Sequence, residues 1–288
     1  MYEHELRSLR PFPGSVRAGG FYSRHWRGSA VMGVINLTPD SFSDGGAFRG
    51  ASEAVEHGKR LARAGALALD VGGESTRPGA DPVSEEVEAE RVIPVVRRLV
   101  REECALISVD TSKPGVALES LRAGAHLIND VRGLRDPEMV RVCSEAGVPV
   151  VIMHMQGEPR TMQQAPAYED VVAEVHAFLR EASRNARESG IPDTIVDPGI
   201  GFGKRVEDNL ALLRAVGELA TGRNKVLVGA SRKGLIASLA GQTPPDQRDP
   251  GSLAVHLHAA ASGAALVRAH DVSGHVQALR VWERLHDA

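Results

Sequence analysis

The chemistry-bearing residues of this chain recur at one kind of place, the exit of a short apolar run. Asn36 closes the run AVMGVIN, and Asp70 lies within LALDVGG, with Glu74, Ser75, Thr76 and Arg77 after it. Asp110 ends ALISVD, Asn129 and Asp130 end HLIND, His154 follows VVIM and Asp197 ends TIVD. Ser231, Arg232 and Lys233 follow KVLVGA, and Arg268, His270 and Asp271 lie in ALVRAHDV. A buried charge is costly unless it is paired or used. Eight consecutive runs ending this way argue for one shared polar pocket. Asp110, Asn129, Asp197 and Lys233 offer acceptors and donors suited to a flat heterocycle with amide and amino edges. Arg77, Arg268 and His270, with backbone N–H groups of Gly-rich loops, offer an anion site. Asn36 and Asp44 are hard oxygen donors, the kind that hold Mg²⁺ recruited with a substrate phosphate. The pattern predicts a substrate with a neutral heterocyclic end and a strongly anionic end. No Ser–His–Asp set, nucleophilic Cys or zinc-ligand spacing is evident, which suits direct displacement without a covalent enzyme intermediate. Some members have a blander reading. Asp70 and Asp130 are suited to holding neighbouring strands or loops, His154 to a core role bonded to backbone, and His256 and His258 to structural positions.

The runs that position these residues begin near Ala30, Leu67, Ala105, His126, Val150, Thr194, Lys225 and Ala265. Continuous Val- and Ile-rich runs are what a parallel sheet buried on both faces requires. Amphipathic stretches separate them, over 51–64, 84–101, 114–123, 137–146, 168–189, 206–219, 252–262 and 273–286. Ser84 is placed as a helix cap and Pro114 in a first turn. Eight strand–helix units predict a (β/α)8 TIM barrel over 30–288, preceded by a short N-terminal arm over 1–29 rich in Pro and Gly. An open doubly wound sheet is the alternative. It is weakened by the lack of a dinucleotide glycine fingerprint after the first strand. Two long loops, Leu37–Gly50 and Gly73–Pro82, follow strands on the face where barrels place active sites. A third, Gly241–Pro250, reads as a connection between helical pieces.

Composition narrows the partners. A net charge of −3 argues against nucleic acid, which is met by a strong basic excess. No apolar run reaches the ~18 residues of a membrane span, and the N-terminus lacks the apolar region of a signal peptide, so a cytoplasmic chain is expected. Cys104 and Cys143 have no metal or redox spacing and read as structural residues facing helices.

The motifs, taken in order, resemble those of dihydropteroate synthases. MGVINLTPDSFSDGG (Met32–Gly46) and GGESTRPGA (Gly72–Ala80) are similar to the family's two signatures and mobile loops. SVDTSKP, LINDVRG, MHMQGEPRTMQ, DPGIGFGK, GASRKG and RAHDV complete the series. The resemblance covers roughly residues 30 to 285. It implies that Asp110, Asn129, Asp197 and Lys233 bind a pterin ring, with Met153 and Gly229 lining its slot. Asn36 would bind Mg²⁺ and the diphosphate, Arg268 and His270 would hold the diphosphate, and Thr76 and Arg77 would close over it. Phe42, Pro78, Phe202, Ser231 and the stem of Lys233 would form an aminobenzoate pocket. Ile200 and Gly234 depart from the residues many relatives carry.

The implied reaction condenses a dihydropterin carried on a diphosphate with 4-aminobenzoate in folate biosynthesis, with sulfonamides as mimics of the amine and a homodimer as the assembly. An aromatic amine is a weak nucleophile, so the electrophile must be activated. Arg77, Arg268, His270 and Mg²⁺ would trap the leaving diphosphate, while Asp110 supplies negative potential near the cation. Arg77, Asp110 and Lys233 are the residues expected to carry catalysis. Two other readings stand beside it. A pterin-binding methyltransferase shares the pterin contacts but has no use for a diphosphate site, and a non-catalytic paralogue would only bind.

Overall fold

Alternation of side chains along eight short strands builds this molecule as two concentric apolar shells. The computed structural model describes residues 29–38, 46–76, 79–221 and 225–286. The strands are β1 (Ala30–Asn36), β2 (Ala68–Gly72), β3 (Leu106–Asp110), β4 (Leu127–Asp130), β5 (Val150–Met153), β6 (Thr194–Asp197), β7 (Lys225–Val228) and β8 (Leu266–Ala269). They pair in parallel in chain order, and β1 pairs with β8 to close the barrel. The helices are α1 (Gly46–Arg63), α2 (Glu85–Glu102), α3 (Pro114–Arg122), α4 (Pro137–Ala146), α5 (Val171–Glu188), α6 (Val206–Arg214), α7 (Val216–Leu219), α8 (Gly234–Ala240), α9 (Asp249–Ala261) and α10 (Val272–His286). A (β/α)8 barrel is therefore what the apolar periodicity predicted.

Residues of one strand parity face outward. Ile35, Leu69, Val71, Ile107, Val109, Ile128, Ile152, Val196 and Val267 pack in the shell shared with the helices. Residues of the other parity fill the inside. Met32, Ala68, Leu127, Val151, Ile195, Leu227 and Leu266 form an apolar plug. Because the strand period is two, the residue two further along faces the same way. On β2, β4, β5, β6 and β8 those residues are Asp70, Asn129, Met153, Asp197 and Arg268. The barrel interior therefore changes from apolar to polar within one layer.

Helix ends follow local chemistry. Ser84 accepts the Val87 N–H at the start of α2, and Asp170 accepts those of Val172 and Ala173 at the start of α5. Asp136 caps α4 just before Pro137, and Gly147 ends it at φ 65°. Several boundaries differ from the sequence reading. α1 begins at Gly46, inside the expected first loop. The stretch 206–219 breaks at Ala215 into α6 and α7. α8, only 7 residues long, has too little periodicity to be read in advance. Cys143 is buried in α4 as expected, but Cys104 is exposed in the turn after α2 and so is not part of the core. The segment 1–28, expected as an arm, lies outside the described residues.

Candidate active site

The polar layer closes on itself through one side chain. Arg268, on β8, donates from Nε to Asp70 Oδ2 at 2.7 Å and from Nη2 to Asp110 Oδ2 at 2.9 Å. Asn129 Nδ2 donates to the same Asp70 oxygen at 2.9 Å. Four residues from β2, β3, β4 and β8 thus form one bonded cluster above the apolar plug. Burial pushes the Asp110 carboxyl above its usual range, with Arg268 opposing and Asp70, Glu88 and Asp130 adding to the rise. The blander reading of Asp70 holds, since it braces its neighbours. So does that of Asp130, whose carboxylate accepts the N–H groups of Arg132 and Leu134 and shapes the turn after β4.

The opposite wall comes from β6 and β7. Asp197 is buried, and its Oδ1 accepts the Gly199 N–H at 2.7 Å. Burial raises its pKa, and the Lys233 charge works against that rise. A Cβ on Gly229 would stand 3.6 Å from Arg268 Cβ and 3.7 Å from Asp197 Oδ2, so this glycine keeps the gap between the two walls open. Lys233 Nζ lies 4.3 Å from the centroid of the Phe202 ring and donates to the Ile200 carbonyl. Burial pulls its pKa down to about 8. Phe202 packs against Met153, Met155, Met162 and Val131 in a small apolar cluster. Met153, Phe202 and Lys233 therefore share one side of the site.

Ser231 and His270 form a third group. Ser231 Oγ accepts the His270 N–H at 3.2 Å and lies 2.9 Å from His270 Nδ1. Between Ser231 and Lys233, Arg232 adopts φ 59°, a left-handed conformation that disfavours a side chain. Two bonds to Asp249 at 2.8 and 2.7 Å, and one from its N–H to Ser252 Oγ, hold it there. The turn that separates Ser231 from Lys233 is thus fixed by α9. His256 accepts the Ala230 N–H at Nε2 and meets His275 through Nδ1 at 2.8 Å. His258 bonds the Leu213 carbonyl, so both His256 and His258 are structural, as expected.

The buried ammonium of Lys204 was not singled out in the sequence, although it ends the DPGIGFGK motif. It is 3% exposed and lies within 3.2 Å of His154 Nδ1, the carbonyls of His154 and Gly199, and that of Phe202. Three carbonyl acceptors and a ring nitrogen around one buried Nζ tie the loop after β6 onto the exit of β5. At Gly199, φ is 68° and a Cβ would fall 1.9 Å from the His154 carbonyl, so only glycine fits this crossing. His154 is consequently a core residue. Burial and the neighbouring Lys204 charge hold its pKa down to about 3.

The second loop is anchored at its base. Glu74 accepts the Val83 N–H through Oε1 and the Lys113 ammonium through Oε2, and Lys113 also reaches the buried Glu88. Thr76 is half-buried in this loop and joins none of the ring's bonds. Phe42, Asp44, Arg77 and Pro78 lie outside the described residues. Asn36 stands half-buried at the exit of β1. The described residues hold no group of three His, Cys, Asp or Glu able to bind a metal. A lone amide oxygen suits Mg²⁺ that keeps its waters and arrives with phosphate ligands, and does not suit an all-protein cage.

A family model described as pterin binding enzyme matches residues 32–270. The chain is 48% identical over 255 residues to the dihydropteroate synthase of Escherichia coli K12, covering 88% of this chain and 90% of that one. Its fold matches the Xanthomonas albilineans dihydropteroate synthase solved with 4-aminobenzoic acid, at TM-score 0.85 and 49% identity, covering 90% of this chain and 94% of that one. It likewise matches the Yersinia pestis dihydropteroate synthase solved in a sulfonamide drug complex, at TM-score 0.85 and 43% identity, with 91% and 95% covered.

Proposed function

The chain belongs to the family of pterin-binding enzymes, and from that premise we propose that it is a dihydropteroate synthase, joining 4-aminobenzoate to the methylene carbon of a dihydropterin diphosphate with release of diphosphate. The observation that carries the reading is the ring in which Arg268 binds Asp70 and Asp110 across the barrel interior. It sets a cation beside an acid–amide wall, which suits a substrate that is heterocyclic at one end and anionic at the other.

In this reading Asp110, Asn129, Asp197 and Lys233 take the polar edges of the pterin, and Met153 and Gly229 flank the ring. Arg268 and His270 take the diphosphate, with Thr76 and Arg77 closing over it. Breaking the C–O bond sends its electron pair to the diphosphate and leaves a cation that the pterin delocalises. Asp110 supplies negative potential to that cation, and Arg268 supplies positive potential to the leaving group. The amine lone pair then forms the C–N bond, and the amine loses its proton to the released diphosphate or to water. Phe202, Phe42, Pro78, Ser231 and the stem of Lys233 orient the aminobenzoate. Asn36 would hold Mg²⁺, whose charge, when bound, offsets that on the diphosphate oxygens. We further propose, on the resemblance, a cytoplasmic homodimer. None of the described helices is long and apolar enough to cross a membrane.

The test is release of diphosphate from the pterin substrate with and without aminobenzoate. Release that requires the amine supports the synthase. A pterin-binding methyltransferase would release none, and it would have no use for a diphosphate site at Arg268 and His270.

A further inference from the structure

We propose that Asp70 is a positioning residue that aims the pterin-side amide of Asn129 and the anion-side guanidinium of Arg268 together, so that one buried carboxylate couples the two halves of the site. The proposal rests on the reading of those halves given above. Asp70 lies in the same interior layer as Asn129 and Arg268, each two residues past the apolar plug. Its register partner on β3 is Ser108, whereas Asp110, two residues further along, pairs with Asn129. It is 0% exposed, so a ligand entering from the strand exits meets Asn129 and Arg268 first.

One oxygen does the aiming. Asp70 Oδ2 accepts both Asn129 Nδ2 and Arg268 Nε. A carboxylate only accepts, so it forces the NH₂ end of Asn129 toward itself and leaves the carbonyl oxygen for a ligand donor. It likewise takes the Nε corner of Arg268 while Asp110 takes Nη2. Nη1 then has no partner among the described residues and is left for an anion. The second oxygen, Oδ1, is buried without a hydrogen bond in the described structure. An unmatched carboxylate oxygen in such a place is a cost to stability. An isosteric amide could accept both donors through its carbonyl oxygen, but it carries no charge to hold the guanidinium, and its NH₂ would sit unpaired at the Oδ1 position.

The experiment compares Asp70→Asn with the unsubstituted chain. We expect the KM for the pterin diphosphate to rise at least tenfold while the KM for aminobenzoate, measured at saturating pterin substrate, changes less than twofold. Calorimetric affinity for inorganic pyrophosphate with Mg²⁺ should fall in parallel. The Arg268 Nε–H resonance, assigned by its loss in Arg268→Lys, should be slow to exchange in the unsubstituted chain and fast in Asp70→Asn. A role limited to holding the fold would lower kcat through a reduced active fraction and leave both KM values and the resonance unchanged, and that result would overturn the proposal. If Asp70→Asn does not fold, the neutral pair Asp70→Asn with Arg268→Gln restores charge balance and is compared with Arg268→Gln alone. The pair should show the higher KM for the pterin diphosphate, because Asn129 also loses its aim, and equal KM values in the two would also overturn the proposal. A chain that forms no product would remove the synthase reading alone, because the pyrophosphate titration and the resonance need no turnover.

Discussion

Removing the Arg268 side chain should damage the protein in two separable ways. In Arg268→Ala, the Asp70 and Asp110 carboxylates, whose side chains are 0% and 12% exposed, lose their shared cation. Breaking a buried ion pair by deleting one partner costs about 3–5 kcal/mol. Burial already raises the Asp110 pKa with Arg268 opposing, so the variant raises it further. A carboxyl whose folded pKa lies above its unfolded value takes up protons in the folded state first. The penalty therefore accrues as pH rises through the folded pKa, and it shrinks as pH falls toward the unfolded value. Urea denaturation should show a larger loss at pH 8 than at pH 5. Independently, pyrophosphate affinity should fall by about 1.5–3 kcal/mol for the lost charge-assisted bonds, and affinity for a bare pterin should fall less. A loss below ~1 kcal/mol, far under the cost of an uncompensated buried charge, that is also flat between pH 5 and 8 would refute the paired-carboxylate account. Equal weakening of pterin and pyrophosphate would refute the anion-side role of Arg268.

Three further outcomes are expected. Asp197→Ala should stay folded, because among the described residues its carboxylate bonds one loop N–H, and should lose pterin affinity by tenfold or more; unchanged affinity by calorimetry would reject the assignment. Aminobenzoate should bind measurably only with pterin, Mg²⁺ and pyrophosphate present, because Phe42 and Pro78, proposed for its pocket, stand close in sequence to Asn36, Thr76 and Arg77, proposed for the diphosphate, and sulfonamides should follow the same order. Equal affinity in titrations with and without those ligands would reject loop assembly. His154, held neutral with a pKa near 3, binds fewer protons folded than unfolded, so it removes stability as pH falls from 6.5 toward 3. His154→Gln should flatten the urea midpoint over that window relative to the unsubstituted chain, and an identical slope would show that His154 is not its source.

The barrel was legible because its strands are buried on both faces and read as continuous Val and Ile runs, each broken by an amphipathic helix. The polar ring was legible for the same reason, since Asp70, Asn129, Asp197 and Arg268 interrupt runs that are otherwise apolar. What pairs with what was not legible. Arg268 and Asp70 are 198 residues apart in the chain, and only closure of β1 on β8 brings their strands near each other. Sequence chemistry therefore gave Arg268 to the diphosphate, while the fold shows it bonded to the acid–amide wall as well. Lys204 was absorbed into a glycine-rich motif because nothing local announces that its ammonium turns inward to the carbonyls of another loop. The left-handed turn at Arg232 was equally hidden, because it is held by Asp249, a residue at the start of α9, beyond the intervening α8.

The central claim is tested most directly by one incubation: the purified chain, Mg²⁺, the dihydropterin diphosphate and isotopically labelled 4-aminobenzoate, with both products followed by mass spectrometry. The account predicts labelled 7,8-dihydropteroate and diphosphate appearing in equal amounts, at a rate that vanishes when the amine is omitted. Release of diphosphate in the presence of the amine without a labelled conjugate would contradict it.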